Sequence, residues 1–248
     1  MMRLINQAWM TAPATMAVLD ALEGAGSQGR FVGGCVRDAL IGRPVSDVDI
    51  ATPMRPEAVM AAVEAAGLRA VPTGLAHGTV TVVSGGRPYE VTTLRRDVAT
   101  DGRRATVAFT DSWDEDAARR DFRLNALYAD RAGVVVDPTG QGIADALAGR
   151  IVFVGDAEQR IREAYLRILR FFRFWAWFGR DEGDRAALTA CARLKDGIQQ
   201  LSAERVSAEL LKLLAAPDPS RAVHLMADPG VLAEVLPWTD SGRMFLPM

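Results

Sequence analysis

The sequence predicts an α+β fold: a mixed α/β region up to about residue 138, followed by an all-helical region. Three observations carry this expectation. Short apolar runs with strand-like alternation, at 79–83 and 89–94, occur only in the first part. Glycines and prolines divide that part into short segments, whereas beyond Gly155 the segments lengthen and take up the helical period. A length of 248 residues fits one large domain or two small ones; the change in pattern favours two, at 1–138 and 139–248.

The elements follow in order. Residues 12–26 read as a helix ending at Gly24 and Gly26, and 30–32 as a short strand running into Gly33-Gly34. Residues 35–41 form a short helix stopped by Gly42. Residues 45–51 alternate as a strand, with Val48 and Ile50 facing away from Asp47 and Asp49. Pro56 opens a helix that Gly67 closes. The runs 79–83 and 89–94 flank a Ser-Gly-Gly-Arg-Pro turn and make a hairpin. Residues 95–112 are polar, rich in Arg and Asp and without a period, which predicts a mobile loop. A helix begins at Trp113, and 134–136 is one more strand. The spans 157–178, 184–195, 203–215 and 218–227 read as helices.

Composition limits the function classes. Apolar residues make up 49% and charged residues 24%, which excludes a disordered, collagenous or disulfide-dense chain. No run approaches the roughly 18 apolar residues of a membrane helix, and the N-terminus lacks a basic segment followed by an apolar one. A cytoplasmic protein without a membrane partner is expected. Cys35 and Cys191 have no metal-like spacing, in keeping with reduced thiols. The net charge is −2, yet of the 29 basic residues only Lys195 and Lys212 are lysines. Genome composition accounts for such a bias, and so does phosphate binding, because the guanidinium fork suits phosphate oxygens.

Three features point to chemistry. Asp47 and Asp49 stand at i and i+2 of a strand, on one face, where their repulsion calls for a cation; an oxygen-rich pair suits Mg²⁺. Gly33-Gly34, between a strand and a helix, lets backbone amides approach a phosphate, with Arg37 one turn further on. Glu90, in an apolar strand, is placed to add a third carboxylate. Each feature alone also has a bland reading: a solvated strand edge, an ordinary turn, an exposed strand glutamate. Together they place a phosphate cradle beside a metal pair, the arrangement that nucleotidyl transfer requires.

The segments FVGGCVRD (31–38), DVD (47–49), RRDFRLNA (119–126) and EAYLRILRFFRF (163–174) come in the order found in class II bacterial tRNA nucleotidyltransferases. The chain resembles these CCA-adding enzymes, which are grouped with bacterial poly(A) polymerases, from about residue 29 to 237. The resemblance implies a polymerase-β-like head with a small mixed sheet and a helical neck. It implies Asp47 and Asp49 as metal ligands, and Gly33, Gly34 and Arg37 on the triphosphate. Arg120, Asp121 and Asn125 fall in the family's nucleotide-contacting RRDFTxNA motif. Glu163, Ala164 and Arg167 fall in the EDxxR motif that templates the incoming base, and Arg170 and Arg173 match arginines that line the nucleotide pocket. Asp101, Gly102 and Arg103 fall in the family's flexible loop. The implied reaction adds CMP and AMP, from CTP and ATP, to the 3′ end of tRNA with Mg²⁺; the oligomeric state is left open.

The residues support part of this independently. At about 100° per residue from Glu163, Arg167, Arg170 and Arg173 lie at roughly 40°, −20° and −80°, one broad basic face. The other face, with Leu166, Leu169, Phe172 and Trp177, reads as core. Three arginines without matching acids suit an anionic ligand, while Glu163 and Arg167 also form a favourable i,i+4 pair. Three departures stand out. Ala164 replaces the templating carboxylate, Arg123 replaces a threonine, and the sequence stops near the end of the neck, where body and tail domains are expected to be absent. A poly(A) polymerase and a catalytically reduced nucleotide- or RNA-binding module are the rival readings. His77 and His224 are the only histidines, and metal-assisted transfer requires neither.

Overall fold

The computed structural model describes residues 3–100 and 105–236. It divides into a first unit that runs to Leu147, apart from Ala99–Ala105, and a second that starts at Ala148. The first unit contains β1 (Arg3–Leu4), α1 (Pro13–Gly24), β2 (Arg30–Val32), α2 (Gly34–Leu40), β3 (Asp49–Thr52), α3 (Pro56–Ala65), β4 (Arg69–Gly74), β5 (Thr79–Ser84) and β6 (Arg87–Thr93). There follow β7 (Arg95–Thr100), β8 (Ala105–Phe109), α4 (Trp113–Ala118), β9 (Tyr128–Ala129), β10 (Val134–Val136) and α5 (Gly142–Ala148).

Eight strands form one sheet in the order β1-β10-β9-β2-β3-β6-β5-β4. Only β3 and β6 pair in parallel; the other pairings are antiparallel. β5 and β6 join through Gly85-Gly86, both at positive φ (55° and 75°), the backbone of a two-residue hairpin turn. Val80, Val82, Tyr89 and Val91 are buried, and α1 and α3 pack on this part of the sheet. Burying one face of an alternating strand fixes its register, because a slip by one residue would expose Val80, Val82 and Val91. That register is what positions the candidate site.

Several expectations needed correction. β3 begins at Asp49, so Asp47 lies in the chain just before the strand rather than inside it. Residues 95–112 are not a loop throughout: β7 and β8 form a two-stranded sheet, hidden in the sequence because Arg95, Arg96 and Asp97 leave no apolar alternation. β4, an edge strand with no fully buried residue, was not anticipated, nor was α5. The first unit extends past 138 because Gly142 packs against the Arg123 backbone: a Cβ there would meet the Arg123 carbonyl oxygen at 2.4 Å.

The second unit contains α6 (Ala157–Glu163), α7 (Leu166–Phe178), α8 (Arg185–Leu194), α9 (Ala203–Leu214), α10 (Ser220–Ala227) and α11 (Val231–Val235). The single helix expected over 157–178 is two helices, α6 and α7, separated at Ala164-Tyr165. Its core is Ile168, Leu169, Phe171, Phe172 and Trp175 from α7 with Ile161, Ala190, Cys191 and Leu213. Leu166 and Trp177, expected in that core, are half-buried. No helix of the described residues is long and apolar enough to cross a membrane.

Candidate active site

The parallel pairing of β3 with β6 sets Asp49 directly beside Glu90. Glu90 is exposed between two buried neighbours, Tyr89 and Val91, as strand alternation requires. Burial, then the charges of Glu90 and Asp47, push the Asp49 carboxyl up to about 6; Arg120 offsets this only in part. The field at Asp49 is therefore negative on balance, and a divalent cation would relieve it. Asp47 is exposed and its Oδ2 accepts a hydrogen bond from Ser46 Oγ at 2.9 Å. Asp47, Asp49 and Glu90 do not close into a three-ligand cage; no such group of three occurs among the described residues. An open pair of carboxylates suits Mg²⁺, which takes one or two carboxylates and completes its shell with water and substrate phosphates.

The glycine turn lies next to this pair. Gly33 precedes α2 at φ 71°, ψ −121°, a conformation essentially reserved for glycine. Cys35 Sγ, buried, sits 3.4 Å from the Val32 carbonyl oxygen and 3.7 Å from that of Asp49, tying α2 to both strands. Burial pushes its thiol up to about 12, so Cys35 is a protonated structural donor and not a nucleophile. Arg37, also buried, donates from Nη1 to Asn125 Oδ1 at 2.6 Å and from Nε and Nη2 to Asp38. Asn125 Nδ2 in turn donates to Asp121 Oδ1 at 3.4 Å. Arg120 Nη1 lies 3.5 Å from where a Gly33 Cβ would stand. Thus Gly33, Arg37, Arg120, Asp121 and Asn125, drawn from distant parts of the sequence, meet in one network. Gly33→Ala is expected to cost about 1–3 kcal/mol from backbone strain. A urea melt checks this; an unchanged melt would show that the turn can relax.

The sequence reading missed the centre of this network, Asp116. It is 1% exposed and receives Arg119, Arg120, the Tyr128 hydroxyl at 2.7 Å and the Arg95 amide at 3.3 Å. Burial pushes its carboxyl up, but Arg120, Arg119 and Tyr128 overcome this and hold it at about 2. Burial and the neighbouring Arg119 lower the Arg95 guanidinium to about 10. The signal was present: acids at 114–116 followed by Arg119 and Arg120 give i+3 and i+4 pairs.

In the second unit the helical-wheel argument fails at Ala164. Its backbone is extended (φ −160°, ψ 102°). The Tyr165 ring presses on Gly197 so closely that a Cβ there would lie 2.1 Å from Tyr165 Cδ1. Glu163 nonetheless pairs with Arg167 at 2.5 Å across the break and also with Arg160, and Arg167 Nη1 donates to the Arg160 carbonyl at 2.7 Å. Arg173 Nε pairs with the buried Glu209 at 2.6 Å and its guanidinium stacks over Phe174; Arg170 also lies over Phe174. Arg173, expected to lack a matching acid, has one because Glu209 comes from α9. Arg123, the threonine replacement, donates to Gln141 at 2.5 Å and pairs with the buried Asp145 at 3.7 Å, a structural role.

His77 is exposed in a 3₁₀ turn, its carbonyl accepting from Arg95; exposed His224 bonds the Ser220 carbonyl within α10. Asp101, Gly102 and Arg103 lie outside the described residues.

A family model described as the poly A polymerase head domain matches residues 29–152, half of the chain. A second, described as a probable RNA and SrmB-binding site of polymerase A, matches 184–242. The mitochondrial CCA tRNA nucleotidyltransferase 1 of Mus musculus is 41% identical over 209 residues, 83% of this chain and 48% of its own length. The CCA-adding enzyme of Streptococcus sanguinis is 41% identical over 232 residues, 92% of this chain and 56% of its own. Among solved structures, the Bacillus stearothermophilus CCA-adding enzyme in complex with CTP superposes with a TM-score of 0.80 at 38% identity, covering 90% of this chain and 53% of that one. The chain spans about half the length of the relatives it matches.

Proposed function

The chain belongs to the family of tRNA nucleotidyltransferases and poly(A) polymerases, and on that premise we propose that it adds CMP and AMP, from CTP and ATP, to the 3′ end of tRNA without a nucleic-acid template. The observation that carries this is the negative Asp49–Glu90 pair beside the Gly33–Arg37–Arg120 network. The first unit performs the transfer and the second reads the base. Gly33 and Gly34 bring backbone close to the triphosphate, and Arg37 and Arg120 balance its charge. Asp121 and Asn125 hold Arg37 in place. Asp47 and Asp49 would hold Mg²⁺, with Glu90 beside them; when bound, the metal supplies charge neutralisation on the reacting phosphate and acidifies the attacking hydroxyl. The 3′-oxygen bonds to the α-phosphorus, the α–β phosphoanhydride bond breaks, pyrophosphate leaves, and the hydroxyl proton passes to solvent.

The test is incubation with labelled CTP and ATP and a tRNA lacking its terminal nucleotides, followed by sequencing of the product ends. CCA ends are expected. A homopolymer of A would establish the poly(A) polymerase reading instead, and binding of nucleotide without transfer would establish the reduced module.

Ala164 sharpens the expectation. Ala164 closes α6 and stands one position before Tyr165, the residue that leads into α7; its extended backbone and its carbonyl, which accepts the Arg167 amide at 2.9 Å, resemble those of a helix N-cap. A carboxylate there would cap α7 and also offer the base an acceptor. Ala164→Asp is therefore expected to raise stability by about 1 kcal/mol. It should also sharpen selection of CTP and ATP over UTP and GTP by about 5- to 150-fold. Denaturant melts and single-nucleotide incorporation with each triphosphate measure the two effects. Equal selectivity in both proteins would show that position 164 does not face the base.

A further inference from the structure

Around Glu90 the sheet carries a row of threonines that the chemistry above does not use. Val80, Val82, Tyr89 and Val91 fill the face covered by α1 and α3, so Thr79, Thr81, Glu90 and Thr92 stand on the other. Register places Asp49 beside Glu90, Glu90 beside Thr81, and Thr92 beside Thr79. The edge strand β4 brings Thr73 Oγ1 to 2.8 Å from Thr81 Oγ1, and Thr79 Oγ1 lies 3.3 Å from Thr92 Oγ1. Within each pair one hydroxyl donates to the other. That leaves one hydroxyl proton and several lone pairs per couple for a ligand. Thr73 and Glu90 are exposed, and Thr79, Thr81 and Thr92 are half-buried.

Direction gives this row its meaning. The strand order β2-β3-β6-β5-β4 sets Asp49 between two flanks. On the β2 flank stand Gly33 and Arg37 with Arg120, where the triphosphate is placed above. In-line displacement puts the entering and leaving oxygens on opposite sides of phosphorus. A pyrophosphate leaving over the β2 flank therefore requires the attacking 3′-hydroxyl to arrive over Glu90 and Thr81. We propose that the threonine shelf seats the terminal ribose of the RNA, with Thr81 and Thr92 as positioning residues for the nucleoside that carries the attacking hydroxyl. Uncharged hydroxyls beside Glu90 suit a ribose 2′-hydroxyl, which both donates and accepts; a phosphate there would meet the Glu90 carboxylate. The inference rests on the transferase reading.

The test reads binding, so that it does not depend on turnover. A fluorescent acceptor-stem RNA hairpin without its CCA end, carrying a terminal ribose or its 2′-deoxy form, is titrated into the wild type, Thr81→Val, Thr92→Val and Thr81→Ser. CTP binding is measured in parallel. Each valine should weaken RNA binding about fivefold, the equivalent of one hydrogen bond. Serine, which keeps the hydroxyl, should retain wild-type affinity, and CTP affinity should not change. The 2′-deoxy end should weaken binding to the wild type and to Thr81→Ser but cost nothing further in one of the valine variants. RNA affinity indifferent to both valines, or a 2′-deoxy penalty that persists in both, overturns the shelf alone. A wild type that binds neither CTP nor RNA overturns the transferase reading, and the shelf with it.

Discussion

Replacing Asp49 by asparagine is expected to lower nucleotide incorporation about a thousandfold or more while the protein stays folded. The carboxylate is the half-buried member of the pair, set against Glu90 by strand register. On the proposed assignment Asp49 would hold a metal at the reacting phosphate; its loss would remove several kcal/mol of charge stabilisation, and about 4 kcal/mol is a thousandfold in rate. Stability should move the other way. Burial and the neighbouring acids raise the folded-state carboxyl to about 6, above its ordinary 3.8. The charged form is thus disfavoured in the fold, and this residue's contribution to stability falls as pH rises from about 4 to 6. Asp49→Asn should then be more stable than the wild type at pH 7, by about 1–3 kcal/mol, and equal to it below pH 4. Incorporation assays with Mg²⁺ and urea melts at pH 4 and 7 make the comparison. Undiminished transfer would sink the metal assignment, and an unchanged melt at pH 7 would show that Glu90 and Asp47 do not crowd the carboxylate.

Where sequence reasoning succeeded, local pattern and tertiary burial agree. Val80, Val82 and Val91 alternate with polar residues in the sequence and are buried together in the sheet, so the hairpin and the place of Glu90 were legible. The glycine turn and α2 followed from Gly33-Gly34 and the stop at Gly42, and the place of Asp49 from its alternation with Val48 and Ile50. The failures have tertiary causes. Alanine is the best helix former, so nothing local marks Ala164 as a break. The break accompanies the Tyr165 ring lying on Gly197, a contact spanning 32 positions of sequence. Likewise Glu209 neutralises Arg173 from a different helix, and a wheel drawn for one helix cannot reveal it. β7 was hidden because charged residues on successive positions erase the period-2 signal.

Asp116→Asn is expected to be the most destabilising of these substitutions, by about 3–5 kcal/mol at pH 7, the cost of breaking a buried ion pair from one side. The side chain holds two guanidinium groups, a phenol hydroxyl and a backbone amide at one point. Asparagine keeps the volume but loses the charge, leaving Arg119 and Arg120 facing Arg95 without their common counterion. The pH dependence identifies the cause. A folded-state carboxyl at about 2, against an ordinary 3.8, stabilises the fold fully above pH 4 and loses that contribution as pH falls towards 2. This charge-linked part amounts to about 2–3 kcal/mol, so the gap between wild type and variant should narrow across pH 4 to 2. Arg120 approaches Gly33 and the Asn125 carbonyl from its anchor on Asp116. CTP affinity should therefore fall as well, although Asp116 itself is too buried to touch a nucleotide. Melts at pH 7, 4 and 2.5 with a CTP titration at pH 7 test the whole chain of reasoning. A variant as stable as the wild type at pH 7 would mean that the arginines find other acceptors, and a gap independent of pH would mean that packing rather than charge holds the RRD turn.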